Sequence, residues 1–123
     1  KGDFKMEIKN RNLKLKMENE NENQYSIWDL DLGNQIGEIN FKFENRNRIL
    51  NLEFLAIYKS YRNRNYGVYV IEYLKNNYEF ECIKGESLRQ AKGFWMYVVR
   101  NNNAYTVRNH KLSNTIFTFY IFK

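Results

Sequence analysis

The sequence has one cysteine, one histidine and no proline, and the first two scarcities exclude several kinds of protein. The single cysteine, Cys82, cannot form a disulfide within the chain, and one histidine is too few for a zinc site built from cysteine and histidine. No apolar run approaches the roughly 18 residues of a membrane-spanning helix, and the first residues do not resemble a signal peptide. We therefore expect a reduced, soluble, cytoplasmic protein that holds no metal and does not enter a membrane.

Aromatic residues, by contrast, are abundant. The 123 residues include ten tyrosines, nine phenylalanines and two tryptophans, and 43% of the chain is apolar. This is too much apolar surface for a disordered chain, and a chain of this length buries about two thirds of its unfolded surface around one core. We therefore expect one folded domain over residues 1–123.

Positive charge is concentrated in the last third of the chain. Residues 1–86 contain 14 basic and 14 acidic residues, so the net charge of +6 comes entirely from the rest. Its carriers are Arg89, Lys92, Arg100, Arg108, Lys111 and Lys123. An unbalanced basic surface attracts phosphorylated ligands or nucleic acid, although scattered cations also serve solubility alone.

The first half of the chain has the periodicity of strands. Apolar residues alternate with polar ones in two early groups, Phe4, Met6 and Ile8, then Leu13, Leu15 and Met17. The strand from Ile49 to Tyr58 places Leu50, Leu52, Phe54 and Ala56 on one face, and Leu55 and Ile57 on the other. Since both faces are apolar at its C-terminal end, this strand is predicted to lie at the centre of the sheet.

The second half mixes helices and strands. Helical spacing predicts a helix over Tyr66–Asn77, and a short strand follows at Phe80–Ile83. The sequence Ser87-Leu88-Arg89-Gln90 fits a capping box that opens a second helix. Residues 105–108 and 115–122 then predict a closing hairpin. The order of elements indicates an α+β fold built on a mixed sheet.

One junction in this pattern suits an anion. Residues 61–67 join the buried strand to the first predicted helix and include Arg62, Arg64 and Gly67. The first turn of a helix leaves backbone N–H groups unpaired, and the helix dipole adds partial positive charge there. Gly67 would let the backbone come close to a ligand. The junction therefore indicates a site for a phosphate or pyrophosphate.

The same junction resembles a known family. The stretch from Leu55 to Leu74, LAIYKSYRNRNYGVYVIEYL, is similar to the acetyl-CoA-binding segment of GNAT-superfamily N-acetyltransferases, in which a strand ending L-x-V precedes (Q/R)-x-x-G-x-(G/A) and an apolar helix. Arg62 stands at the first motif position and Gly67 at the last. Residues 85–99, GESLRQAKGFWMYVV, resemble the second family segment, A-x-x-F-Y-x-x-x-G-F, through Ala91, Phe94 and Trp95. The two segments cover about the middle third of the chain.

The resemblance implies a fold, a co-substrate and a site. The fold would be a mostly antiparallel sheet with two main helices, in which a parallel pair, residues 52–58 and 80–83, splays apart. Acetyl-CoA would enter there and an amine would attack it directly, with no metal. The residues implied to bind acetyl-CoA are Leu55, Ala56 and Ile57 for the pantetheine arm, Arg62, Asn63, Arg64, Asn65, Tyr66, Gly67 and Val68 around the pyrophosphate, and Phe94 and Trp95 on the second helix.

The sequence departs from the family pattern at the residues that would move protons. Trp95 stands where many members have a tyrosine that protonates the leaving thiolate, and an indole N–H cannot do this. Tyr97, Tyr66 and Tyr69 are the remaining candidate acids. Glu53, expected on the strand face opposite Phe54, is the candidate base. The alternatives for it are a water chain without a dedicated base, or an ion pair with a neighbouring cation.

Two further departures concern shape. Asn63 and Asn65 stand where glycine is common, and asparagine is the residue that best tolerates positive φ after glycine, so we expect the loop geometry to survive. The family also has two helices after its first strand, whereas residues 10–24 are too few for both. We therefore expect a shortened N-terminal helical region and an open acceptor side.

Two other functions compete with acetyl transfer. The chain could be a catalytically inactive GNAT-like module with a binding or regulatory role. The missing helices favour this, as do Trp95, Asn65 and Leu88, the last of which stands where the family commonly has an asparagine that contacts CoA. It could instead bind nucleic acid through its basic C-terminal part and aromatic hairpin, which is the less favoured option. The sequence leaves a homodimer open.

Overall fold

Strands and helices of the protein follow the predicted order. The computed structural model describes residues 11–109 and 114–123, so Lys111 and the predicted strand at Phe4, Met6 and Ile8 lie outside the described residues. The elements are β1 (Leu13–Asn19), β2 (Gln24–Asp29), β3 (Asn34–Glu44), β4 (Ile49–Ile57), α1 (Tyr66–Asn77), β5 (Cys82–Leu88), α2 (Lys92–Arg100), β6 (Asn103–Arg108) and β7 (Thr115–Phe122). Three short 3-10 turns join them at Glu20–Glu22, Lys59–Tyr61 and Arg89–Ala91.

The seven strands within residues 11–109 and 114–123 form one mixed sheet in the order β1-β2-β3-β4-β5-β7-β6. Only β4 and β5 run parallel, and the other neighbours are antiparallel. The predicted α+β class is therefore confirmed, with its mostly antiparallel sheet and two helices. The central position of β4 is confirmed too, since it is the fourth of the seven strands.

β4 contains one residue more than its neighbour β3. Asn40 pairs with Phe54 and Phe41 pairs with Leu52, so Glu53 has no partner on β3 and forms a β-bulge. A bulge reverses the alternation of side chains beyond it. The prediction that Phe54 and Ala56 share a face with Leu50 and Leu52 is therefore wrong. Leu55 and Ile57 pack against the core instead, and Phe54 is 50% exposed.

Both helices cover the same face of the sheet. Tyr66 at the start of α1 reaches Asp29 on β2, and Trp95 of α2 stacks on Phe119 of β7 with ring centroids 4.3 Å apart. Cross-strand partners point to the same face, and the registers of β2 to β5 and of β5 to β7 place Asp29 and Phe119 on one face. The core residues of α1, α2 and the sheet form one buried cluster.

Pairing with β7 overrides two local predictions. β5 runs over Cys82–Leu88 rather than residues 80–83, because Ser87 pairs with Phe117 and Leu88 with Thr115. Ser87 is buried in this strand and donates its hydroxyl to the carbonyl of Leu88 at 3.0 Å. The predicted capping box is therefore wrong, and α2 begins only at Lys92, after a 3-10 turn. The predicted closing hairpin is confirmed, with β6 two residues longer at its start.

No α-helix separates β1 from β2. Leu13, Leu15 and Met17 lie in a strand, and the link to β2 is the 3-10 turn Glu20–Glu22 followed by Asn23. The expected shortening of the helical region between these strands is thus confirmed. Within residues 11–109 and 114–123, no helix covers the second face of the sheet, where Phe54 and Tyr105 are each 50% exposed.

Gly85 on β5 leaves room for a buried aromatic ring. A methyl group on Gly85 would lie 2.3 Å from Cζ of Phe119, a fully buried ring on which Trp95 is stacked. We expect Gly85→Ala to lower the free energy of unfolding by about 1–3 kcal/mol through overpacking. Urea unfolding followed by circular dichroism measures this.

The matched control is Gly93→Ala on α2, where an added methyl group meets no atom within 4 Å. This change should raise stability by at most about 1 kcal/mol, because alanine is the better helix former. Equal unfolding midpoints for the two variants would contradict the packing at Gly85.

Candidate functional site: a cleft between two splayed strands

The cleft begins where β4 and β5 stop pairing. Residues Ile49–Leu52 pair with Cys82–Gly85, and beyond them β5 pairs only with β7. The separation starts at Glu53, the bulged residue, because a bulge bends its strand and increases the local twist. A cleft of about 730 Å³ opens between the separated strands and the start of α1. The predicted splay is confirmed, with β5 as the second strand in its corrected range.

Two backbone positions of β4 face this cleft. The amide of Tyr58 donates to the carbonyl of Ile36 on β3 at 2.9 Å. Since successive residues of a strand present their N–H and C=O groups to opposite sides, Ile57 and Leu55 present theirs to the cleft. Ala56, opposite Glu38 in the register, faces β3 instead. Ala56 lines the cleft, but its amide and carbonyl belong to the sheet, which corrects the role predicted for them.

The turn before α1 has the geometry expected of glycines. Asn63 and Asn65 both adopt φ of +64°, in the left-handed region. The expectation that asparagine preserves the loop is confirmed. Asn65 is also the N-cap of α1, yet its side chain makes no capping hydrogen bond. Among the described residues, nothing accepts the first-turn amides of Tyr66, Gly67 and Val68, so they are free to bind an anion.

The two arginines of the turn differ in position. Nε of Arg62 donates to the carbonyl of Ile57 at 2.9 Å, which ties the turn to the end of β4. The guanidinium of Arg64 lies over the ring of Tyr61, 5.9 Å from its centroid, and Arg64 does not line the cleft. Both arginines belong to the turn that precedes the free amides, and of the two only Arg62 contacts a cleft-facing group of β4.

The cleft brings most predicted residues together. Of the twelve residues expected to bind acetyl-CoA, all except Arg64 line it, and so does Tyr97. Sequence reasoning missed Tyr61 and Gln90, which also line it. The predicted capping box puts Gln90 in the second helix, whereas it lies in the 3-10 turn Arg89–Ala91 beside the cleft.

Gly67 has a different role from the one predicted. A methyl group on Gly67 would lie 2.4 Å from Cζ of Phe94, so the space beside this glycine is filled by an aromatic ring of α2. Gly67 itself is buried. Its missing side chain lets α1 and α2 approach each other at the cleft, rather than making room for an anion.

The candidate acids occupy different environments. Trp95 is 7% exposed and stacks on Phe119, so most of its ring belongs to the core. Tyr97, two residues on, lines the same cleft and is 40% exposed. Tyr66 is buried and its hydroxyl is bound to Asp29, while Tyr69 is not a lining residue. Of the phenols named as candidates, Tyr97 is the one that is exposed in the cleft.

Glu53 lines a second cavity, not the cleft. This cavity, of about 440 Å³, lies on the uncovered face of the sheet and is also lined by Phe54, Asn40 and Lys42. The prediction that Glu53 and Phe54 point to opposite faces is wrong, because the bulge at Glu53 turns both to this cavity. The carboxylate lies 3.6 Å from Nζ of Lys42, and both side chains are solvent-accessible.

A buried polar network lies beneath the start of α1. The hydroxyl of Tyr66 donates to Oδ2 of Asp29 at 2.5 Å, and Arg11 donates to that hydroxyl at 3.1 Å. Oδ1 of Asp29 accepts the amides of Asp31 and Leu32 at 2.9 and 3.2 Å. Burial alone would raise the pKa of Asp29, but these hydrogen bonds and Arg11 outweigh it and hold the pKa below 3.8. Burial and the neighbouring carboxylate raise the pKa of Tyr66 above 10.0.

Residues 11–109 and 114–123 contain neither a candidate metal site nor a membrane-spanning helix. No group of three or more histidine, cysteine, aspartate or glutamate side chains is placed to hold a metal ion. Neither helix is long and apolar enough to cross a membrane.

Comparison with solved structures identifies the fold. The chain superimposes on a GNAT-family acetyltransferase from Staphylococcus aureus with a TM-score of 0.58 and 16% identity, over 83% of this chain and 69% of that one. The chain has the GNAT fold. Another GNAT-family acetyltransferase, from Bacillus cereus, gives a TM-score of 0.60 and 13% identity, over 82% of this chain and 70% of its own length.

A third GNAT structure contains ligands. This is the diaminobutyrate acetyltransferase of Paenibacillus lautus in complex with L-2,4-diaminobutyric acid and coenzyme A, with a TM-score of 0.57 and 12% identity, over 83% of this chain and 70% of that one. No family model and no curated protein matches the chain by sequence. At these identities the likeness concerns the GNAT fold, and it confirms the fold that the sequence resemblance implied.

The Asp29 network has a consequence for stability against acid. Because the pKa of Asp29 is lower in the folded protein than in the unfolded chain, its contribution is complete above pH 3.8 and is lost as the pH falls through the folded pKa. As the pH is lowered below 3.8, we expect the melting temperature of the Asp29→Asn variant to fall less steeply than that of the wild type. Calorimetry across the acid range measures the difference.

The control is Glu81→Gln. Glu81 is an exposed carboxylate whose pKa is lowered by its hydrogen bond and ion pair with Arg48. Salt at about 0.5 M should remove its effect by screening, whereas the effect of Asp29→Asn should persist, since Asp29 is fully buried. If salt abolished both effects equally, Asp29 would not be acting as a buried charge.

Proposed function

We propose that the protein is a cytoplasmic N-acetyltransferase that transfers an acetyl group from acetyl-CoA to an amine. One observation carries the proposal: a turn with free helix-start amides, next to Arg62, opens onto a cleft between splayed strands. A pyrophosphate is the ligand group that best matches several unpaired N–H groups at a helix start. The shared GNAT fold supports the proposal, since the structures with this fold include acetyltransferases, one of them in complex with coenzyme A and an amine substrate.

The residues of the cleft divide the binding of acetyl-CoA between them. The amides of Tyr66, Gly67 and Val68 hold the pyrophosphate, and the cleft-facing N–H and C=O groups of Leu55 and Ile57 hold the pantetheine arm. Ile57 has one carbonyl lone pair engaged by Arg62, so its free amide is its main contribution. The aromatic rings of Phe94 and Tyr61 give the cleft an apolar wall.

In the proposed reaction, the thioester lies in the cleft and the amine approaches from the second cavity, on the other side of β4. The amine nitrogen attacks the thioester carbonyl, the carbon–sulfur bond breaks, and the products are an acetylated amine and the free thiol of CoA. The amide of Leu55 donates to the carbonyl oxygen as negative charge develops on it. Glu53 accepts a proton from the amine on the uncovered face of the sheet, and the phenol of Tyr97 protonates the leaving sulfur.

Asn65, one of the two left-handed residues of the turn, provides a test of cofactor binding. We expect wild-type protein to bind CoA in isothermal titration calorimetry, Asn65→Gly to bind at least as tightly, and Asn65→Ala to bind about fivefold more weakly. The reason is that positive φ costs a Cβ-bearing residue about 1 kcal/mol relative to glycine, and alanine enters the left-handed region less readily than asparagine.

The matched control is Asn47→Ala, at another residue with positive φ, +65°, in the turn between β3 and β4. Asn47→Ala should lower the free energy of unfolding about as much as Asn65→Ala does, and it should leave the affinity for CoA unchanged. Absence of any heat of binding with wild-type protein at millimolar CoA would refute the proposed co-substrate.

The second candidate function is a GNAT-fold module that binds CoA without transferring the acetyl group. Two observations favour it: a tryptophan of the core, Trp95, stands at the family's tyrosine position, and Glu53 lies near Lys42 in an ion pair. The two functions differ in whether thiol is released from acetyl-CoA when amines are added.

Substitution of the proposed proton-transfer residues separates the two functions. We expect Tyr97→Phe and Glu53→Gln each to lower kcat by about a hundredfold, a usual contribution of general acid–base catalysis, with the dissociation constant of CoA unchanged. Thiol release with a panel of primary amines measures the rate. Full activity in both variants would assign proton transfer to water, and CoA binding with no release for any amine would favour the inactive module.

Nucleic-acid binding has less support. The five basic residues of the last third that the structure describes are exposed, but they lie apart. Arg108 is opposite Phe117 near the start of β7, and Lys123 follows the other end of that strand, about 20 Å away at the usual rise per residue. Arg89 and Arg100 stand near opposite ends of α2. These cations do not form the continuous stripe that tracks a phosphate backbone.

A further inference from the structure

Asp29 is a charged residue without a role in the reaction outlined above. It lies at the end of β2, its side chain is fully buried, and its carboxylate is hydrogen-bonded to Tyr66, Asp31 and Leu32, with Nε of Arg11 at 3.4 Å. Burying a charge is costly unless it is fully paired. A buried aspartate that reaches across to the first residue of a helix therefore constrains that residue strongly.

Tyr66 transmits this constraint to the turn. It is the first residue of α1 and follows Asn65 directly, so fixing its side chain also fixes the peptide that carries a free amide. Its ring packs edge-on against Tyr61, with centroids 6.0 Å apart, and Tyr61 in turn lies under Arg64. The aromatic contacts thus extend from Tyr66 across the turn to its second arginine.

The turn needs such a constraint. Two asparagines in the left-handed region raise its conformational energy, and the N-cap side chain contributes no hydrogen bond. An ordinary capping residue would stabilise the helix start, but it would occupy an amide. A bond from the core to the Tyr66 side chain orders the same residues and leaves every amide free.

We propose that Asp29 is a positioning residue, which holds the turn in its anion-binding shape through the hydroxyl of Tyr66. This inference rests on the proposed function, because the anion is the pyrophosphate of CoA. Arg11 completes the network by donating to the same hydroxyl. The ion pair with Arg11 compensates the charge of the buried carboxylate. The hydrogen bond from Tyr66 fixes the position of the Tyr66 side chain.

The test removes one oxygen atom. Tyr66→Phe keeps the ring and its contact with Tyr61 but loses the bond to Asp29, and Tyr73→Phe on the same helix is the matched control. We expect Tyr66→Phe to raise the dissociation constant of CoA about tenfold and Tyr73→Phe to leave it unchanged, since one lost hydrogen bond to a charged group is worth about that factor. Calorimetry at a temperature well below the melting point of each variant keeps unfolded protein out of the comparison.

A second measurement uses the protein without ligand. The 15N heteronuclear NOE of the amides at residues 63–68 should fall in Tyr66→Phe and stay at the wild-type value in Tyr73→Phe. Asp29→Asn, which retains an oxygen able to accept from Tyr66, should preserve most of the order. A general loss of stability would lower the melting temperature without changing the NOE of this one turn.

The outcomes separate the two proposals. Unchanged NOE values in Tyr66→Phe overturn the positioning role, whatever the affinity for CoA. Ordered turn residues in the wild type, disordered in Tyr66→Phe, support it. Failure of the wild type to bind CoA overturns the acetyltransferase and the pyrophosphate ligand, and the NOE still decides whether Asp29 orders the turn.

Discussion

The unpaired residue Glu53 in β4 is the constraint on which the cleft depends. It lies immediately after the last residue of β4 that pairs with β5, so the parallel pair ends where the strand bends. Beyond it, the backbone of Leu55 and Ile57 is turned to the cleft with no strand to pair with. The same bulge brings Glu53 and Phe54 to the opposite face. One extra residue thus produces a cavity on each side of the central strand.

The turn that follows β4 combines order with free hydrogen-bond donors. Those two properties usually oppose each other, because the groups that order a helix start are the ones that consume its amides. Here two side-chain hydrogen bonds order the turn. The Tyr66 hydroxyl donates to the buried carboxylate of Asp29, and Arg62 donates to the carbonyl of Ile57. The amides are left for a ligand, which is the arrangement an anion site requires.

The two faces of the sheet differ in how they are covered. Both helices pack on one face, and the close approach of Gly67 and Phe94 joins them at the cleft. On the other face, the link between β1 and β2 is a short turn, and no helix among the described residues shields Phe54 or the second cavity. In the proposed reaction, the acceptor amine approaches β4 from this side.

The sequence by itself determined the features that depend on local periodicity and on residue type. These include the bounds of α1, the alternating strands, the closing hairpin, and the left-handed turn at Asn63 and Asn65, because side-chain spacing and φ preference act over a few residues. The tertiary structure alone decided the bulge at Glu53, the extension of β5 through Ser87, and the bond from Asp29 to Tyr66. Each of these depends on a partner distant in sequence: β3 sets the register of β4, β7 recruits Ser87 against its local capping preference, and a residue 37 positions away anchors the start of α1.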